Sequence, residues 1–279
     1  MPLLPDQTKR FFAVRRPGRI NYSEVTMSTT ESIHSQLIGL RLHGMRTTMD
    51  SRLKAAKKEG LCHEDFFGLM VQDEVDERRS AKIKRLVRRA AFRQPAALEQ
   101  FDTTIDRGVD KRTLNELAAC RFIDDAINII IMGQTGVGKT YLATAIGNTA
   151  CRLGYSTLFF RMNALIEQLT LARAKGTYLN LLKRLSSCDL LILDDFGIKP
   201  LEPQHYQDLY DVIDERGEER AIILTSQVPP EAWNDVISDP VSCEAITDRI
   251  STAAIKIVMS GSTQRAQKRS RSVKNIDKH

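Results

Sequence analysis

Residues 133–140 read Gly-Gln-Thr-Gly-Val-Gly-Lys-Thr, a complete G-x-x-x-x-G-K-[ST] loop, and nothing else in the chain restricts its fold so sharply. Gly133, Gly136 and Gly138 allow positive φ and a close backbone approach, so that successive N–H groups can point at the oxygens of a polyphosphate. Gln134, Thr135 and Val137 complete the cradle, Lys139 supplies a point charge for the β- and γ-phosphates, and the Thr140 hydroxyl can ligate Mg2+. The flanks exclude a mere Gly-rich turn with an incidental lysine. Ile127, Ile129, Ile130, Ile131 and Met132 form an apolar run that predicts a buried parallel strand. Leu142, Ala145, Ile146, Ala150 and Leu153 follow at helical spacing, which places the loop at a helix N-terminus.

Beyond the loop, strand-like and helix-like segments alternate. Strands are predicted at 155–161, 189–195, 221–227 and 253–259, and helices at 163–173, 178–185, 203–216, 231–237 and 244–250. Such alternation implies an α/β fold with a parallel sheet covered by helices on both faces. Leu190-Leu191-Ile192-Leu193-Asp194-Asp195 is an apolar strand ending in two carboxylates. Beside the phosphate loop it would bring Asp194 to the Mg2+ held by Thr140, with Asp195 free to orient or deprotonate a water. The strand Ile222–Gln227 ends in hydroxyl and amide groups that reach the same edge if it lies between the other two. Together these features point to nucleotide hydrolysis. A nucleotide kinase would want an Arg-rich lid and an acceptor pocket, and neither is evident.

No apolar stretch approaches the roughly 18 residues needed to span a membrane. The five cysteines lack a C-x-x-C pair and read as small buried hydrophobes of a cytoplasmic protein. The histidines form no H-E-x-x-H pattern, which removes support for a metallohydrolase. Net charge is uneven: +3 over 1–27, +5 over 28–93, −7 over 94–260 and +5 over 261–279. Basic flanks around an acidic core suggest an enzyme with separate polyanion-binding surfaces. The chain divides accordingly into a disordered or mis-annotated leader (1–27, with Met27 an alternative start), a helical N-terminal domain (28–95), the α/β core (96–260) and a basic tail (261–279). In the small all-helical domain a long helix is predicted from about 64 to 92. Ile83, Leu86, Val87 and Ala90 lie on one face and Arg78, Lys82, Arg85 and Arg89 on the other. Residues 78–93 carry eight basic side chains and no acidic one, which favours contact with the phosphates of duplex DNA over a merely solvated face.

These residues resemble the AAA+ ATPases, and within them the IstB-like transposition helper ATPases, relatives of the DnaC-type helicase loaders. The resemblance runs from about Gly39 to Arg265. It rests on Leu42-His43-Gly44-Met45, Phe101-Asp102, the loop 133–140, Leu191-Ile192-Leu193-Asp194-Asp195-Phe196-Gly197, Ile223-Leu224-Thr225-Ser226-Gln227 and Ala245-Ile246-Thr247-Asp248-Arg249-Ile250. It implies ATP and Mg2+ as cofactors, Asp194 as the Walker B metal carboxylate and Asp195 as the catalytic carboxylate. Ser226, ahead of Thr225, takes the sensor-1 position. Arg249 is the arginine finger, acting on ATP in a neighbouring subunit of a homo-oligomer, and Arg265 the sensor-2 arginine. Two departures stand out. Asp195 replaces the usual Glu, which implies slow hydrolysis, and the short tail leaves little room for a helical lid domain. The function implied is an ATP-dependent regulator of transposition. It oligomerises on duplex DNA, stimulates a transposase encoded by the same insertion element, and disassembles on hydrolysis. A replicative helicase loader and a non-hydrolysing ATP-binding scaffold are the alternatives.

Overall fold

The computed structural model describes residues 30–103 and 107–261. The leader expected at 1–27, Arg265 and the tail beyond Gly261 lie outside the described residues. Two compact units divide between Arg78 and Arg79, upstream of the expected division at Pro95 and inside a long helix.

The first unit holds α1 (Thr30–Gly39), α2 (His43–Glu59) and the start of α3 (His63–Ala90). Leu42 precedes α2 and offers no side-chain cap. The cap comes instead from α3: Glu74 accepts from Gly44 N at 2.7 Å and Met45 N at 3.4 Å. Its other oxygen accepts from Arg78 Nε at 2.7 Å. Burial alone would raise the Glu74 pKa, but Arg78 and the two amides outweigh it and hold the carboxyl below its ordinary value. This cap requires contact between backbones, since a Cβ on Gly44 would lie 2.6 Å from Glu74 Cα. The Leu-His-Gly-Met sequence therefore marks a crossing point of two helices. Arg52 adds a two-pronged bond to Asp73, at 2.8 and 2.7 Å, and pulls that carboxyl down to about 2.

Gly44→Ala should destabilise this unit by about 1–3 kcal/mol, because α3 backbone cannot yield to the new methyl; a thermal melt followed by circular dichroism measures it. A carboxylate held low stabilises the fold above its unfolded pKa and gives that stability up as pH falls through its folded value. Wild-type protein should therefore lose more stability than Asp73→Asn between about pH 4 and pH 2, in acid titrations followed by the same signal.

In the second unit the end of α3 buries Leu86 and Ala90 with Cys151, as the predicted apolar face requires. The helix stops at Ala90, and Ala91 adopts φ +58 ahead of Pro95. A 3-10 turn (Leu98–Gln100), α4 (Lys111–Ala118) and α5 (Arg121–Asp124) lead into the core. There β1 (Ile129–Gly133), α6 (Lys139–Leu153), β2 (Thr157–Arg161), α7 (Met162–Ala174), α8 (Tyr178–Ser186), β3 (Leu190–Phe196), α9 (Pro203–Arg216), β4 (Ala221–Ser226), α10 (Pro240–Ser251) and β5 (Ile255–Met259) alternate as expected. The five strands are parallel, in the order β2-β3-β4-β1-β5.

Strand residues alternate between two cores. Ile129, Ile131, Phe159, Ile192 and Ile223 pack towards α4, α5 and α6. Ile130, Leu158, Leu191, Leu193 and Leu224 pack towards α7, α8, α9 and α10. Both faces are covered, and each full burial of such a side chain contributes roughly 1.5–3 kcal/mol. Two expected helices shift. Residues Pro230–Asp235 form a 3-10 helix in place of an α-helix at 231–237. The helix expected from Glu244 begins at Pro240, where Asp239 caps Ser242 N at 2.8 Å. Of the five thiols, all free, only Cys62 is exposed; burial pushes Cys120 up to about 11, which makes it inert.

Candidate nucleotide site

The sheet order brings three chain segments to one edge. β1 delivers the phosphate loop, β4 lies beside it, and β3 lies beside β4. Within the loop Gly133, Gly136 and Gly138 take φ of +148, +89 and +110. A Cβ on Gly133 would collide with the main-chain oxygen of Met259 at the end of β5. The loop is thus held by β5 on one side and passes directly into α6, whose N-terminus favours anionic groups. Lys139 is buried, and its ammonium donates to Gly133 O at 2.6 Å and Gln134 O at 3.0 Å. Thr135 Oγ1 donates to Gln227 Oε1 at 2.9 Å, which ties the loop to the end of β4.

Thr140 Oγ1 donates to both oxygens of Asp194, at 2.9 and 3.1 Å. Asp194 is fully buried, and burial pushes its carboxyl above the ordinary range against the pull of its hydroxyl donors. Thr225 Oγ1 donates to Asp194 at 2.7 Å and accepts from Asp195 N at 3.0 Å. At Asp195 the β3–β4 ladder slips between Leu193 and Phe196, and the backbone turns to φ +64. The bulge turns Asp195 out of the strand, where Arg161, at the end of β2, approaches it with Nε 3.6 Å from Oδ2.

Ser226 does not join this group. Its hydroxyl donates to the main-chain oxygens of Phe196 at 3.2 Å and Val228 at 2.7 Å. Thr225 and Ser226 point to opposite faces of β4, and Thr225 is the one at the carboxylates. One further residue was missed from sequence: Arg161, whose partner appears only with the β2–β3 pairing. The amide of Gln227, expected at this edge, meets Thr135 across the sheet. Arg249 lies away from these groups, with Nη2 2.5 Å from Asp214 on α9.

The four expected DNA contacts also separate. Arg78 is engaged with Glu74. Lys82 places Nζ 3.3 Å from where Gly154 would carry a Cβ, over the C-terminal end of α6. Arg85 and Arg89 are exposed and have no ion pair among the described residues.

Residues 35–272 match the family of IstB-like ATP binding proteins. The chain belongs to that family. It is 36% identical over 231 residues to the insertion sequence ATP-binding protein y4pL of Sinorhizobium fredii, covering 83% of this chain and 94% of that one. With the ATP-binding protein of insertion sequence IS1162 from Pseudomonas fluorescens it shares 38% identity over 201 residues, 72% of this chain and 87% of that one. Among solved structures, AMPPCP-bound DnaA from Aquifex aeolicus superposes with a TM-score of 0.51 at 23% identity, covering 67% of this chain but only 57% of that one. DnaI gives a TM-score of 0.51 at 21% identity over 63% and 94% of the two chains. These likenesses show the fold, a parallel sheet flanked by helices with the phosphate loop at one edge. Among the described residues no helix is long and apolar enough to cross a membrane.

Thr225→Val removes one donor from buried Asp194 and the acceptor of Asp195 N, so ATP affinity should fall about tenfold, the scale of one lost buried hydrogen bond. Ser226→Ala should leave that affinity unchanged. Titration with a fluorescent ATP analogue compares the two, and equal losses would mean that Thr225 has no special place at the site.

Proposed function

We propose that this protein is an ATP-hydrolysing, DNA-binding regulator of transposition that assembles on duplex DNA and acts on a transposase encoded by the same element. The observation that carries this reading is the unbroken connection from the phosphate loop through Thr140, Asp194 and Thr225 to Asp195. It occurs in a chain whose curated relatives are ATP-binding proteins of insertion sequences.

The residues divide the work. Backbone N–H groups of the loop and Lys139 hold the β- and γ-phosphates, with Lys139 exchanging its two carbonyl partners for phosphate oxygens. Thr140 and Asp194 offer two hard oxygens at the helix N-terminus, and no group of three or more His, Cys, Asp or Glu able to form a cage occurs among the described residues. That sparse oxygen set fits Mg2+, which keeps most of its waters and shares phosphate oxygens. When bound, Mg2+ would neutralise charge growing between the β- and γ-phosphates. Asp195, turned out of the strand, orients water towards the γ-phosphorus and takes its proton. Thr225 fixes the backbone of Asp195, and Arg161 steers its carboxylate. Arg249 of a neighbouring subunit stabilises the transferred phosphoryl group, so the active form is an oligomer. On α3, exposed Arg85 and Arg89 meet DNA phosphates without reading bases.

Phosphate release with and without duplex DNA, with light scattering on the same samples, tests the whole reading. DNA-stimulated turnover together with ATP-dependent assembly supports it; ATP binding without turnover or response to DNA contradicts it. Lys139→Ala should abolish nucleotide binding. Neutralising Arg85 and Arg89 together should flatten the slope of log K against log salt by up to about 1.8, as expected for two lost phosphate contacts. An unchanged slope would put the DNA surface elsewhere.

A further inference from the structure

Arg249 is held at both ends by its own subunit. Its main-chain oxygen accepts from Asn128 Nδ2 at 3.1 Å, which fixes the backbone of α10 at this point. Its guanidinium lies over the ring of Tyr210, 4.9 Å from the centroid, while Nη2 donates to Asp214 Oδ1 at 2.5 Å. Tyr210 and Asp214 are one helical turn apart on α9, so a single helix face supplies both contacts. Asp214 takes one corner of a group with five N–H donors, and the Arg249 side chain remains 39% exposed.

We infer that Tyr210 and Asp214 form a seat that holds Arg249 extended towards the ATP of a neighbouring subunit. Both are positioning residues, and the inference rests on the reading of Arg249 as an arginine that acts in trans. An arginine on a free stem must give up many rotamers when a neighbour docks. A ring beneath the guanidinium plane and a carboxylate at one corner select the rotamer beforehand, and leave the remaining N–H groups for phosphate oxygens. An exposed ion pair of this kind adds little to stability, so its effect should appear in turnover and not in the folding of the subunit.

The test measures phosphate release at saturating and limiting ATP for full-length protein, with ATP-analogue binding and light scattering on each variant. Asp214→Asn should lower kcat about three- to tenfold, the scale of a misplaced catalytic group, with KM and assembly within about twofold of wild type. Asp214→Glu should recover most of the loss. In an Arg249→Ala background, Asp214→Asn should cost nothing further, because the two act as one unit. If Asp214→Asn fails to assemble, Tyr210 decides: Tyr210→Ala should lower kcat and Tyr210→Phe should not. Unchanged or faster turnover in Asp214→Asn, with Arg249→Ala inactive, would overturn the seat and leave the trans arginine standing. Wild-type turnover in Arg249→Ala would overturn both.

Discussion

One buried carboxylate organises the functional edge of this protein. Asp194 sits at the end of a central strand with no solvent exposure, and two threonine hydroxyls converge on it from the first turn of α6 and from the end of β4. An ionised group so placed is costly unless it is bonded. Without Thr140 and Thr225 the carboxylate would be driven towards its neutral form. Without Asp194 the two hydroxyls would lose the partner that registers the phosphate loop against the neighbouring strands. The sheet order gives this group its reach, since β4 lies between β1 and β3 and can span both.

Much of this was legible in the sequence because it depends on local pattern. The glycine spacing of 133–138, the apolar runs and the proline at the first turn of α9 each specify their own conformation, and the alternation of elements then leaves few topologies. What stayed hidden depends on pairing between segments far apart in the chain. Thr225 and Ser226 are adjacent hydroxyl residues on one strand; which of them meets the carboxylates is fixed by the parity of β4 against a bulge in β3. Arg161 is an unremarked strand-terminal cation until β2 is laid beside β3 and puts it opposite Asp194. The Asp-Pro start of α10 was visible in the chain at 239–240, yet helical periodicity pointed to Glu244 because the first turn carries little of the apolar pattern.

The N-terminal unit shows the same division. Periodicity located its long helix, but said nothing of why Gly44 stands where it does. Gly44 stands in the first turn of α2, where the lack of a side chain lets α3 approach closely enough for Glu74 to cap it. Arg78 is drawn into that cap, so charge counting overstates the cations of α3 available to an outside partner. A helical wheel records which way a side chain leaves the helix; it says nothing about what the side chain finds there.

The backbone at Asp195 bears on why this chain carries the shorter acid. A residue at φ +64 lies in the left-handed region, which aspartate and asparagine tolerate better than residues with longer side chains. The bulge and the choice of side chain therefore form one compromise: the strand turns a small carboxylate outward at little conformational cost. A glutamate substituted there would bring its extra methylene together with a less compatible main chain. Reach and backbone comfort cannot be varied independently at this position, and a lineage that acquired the longer acid would be expected to reshape the β3–β4 ladder with it.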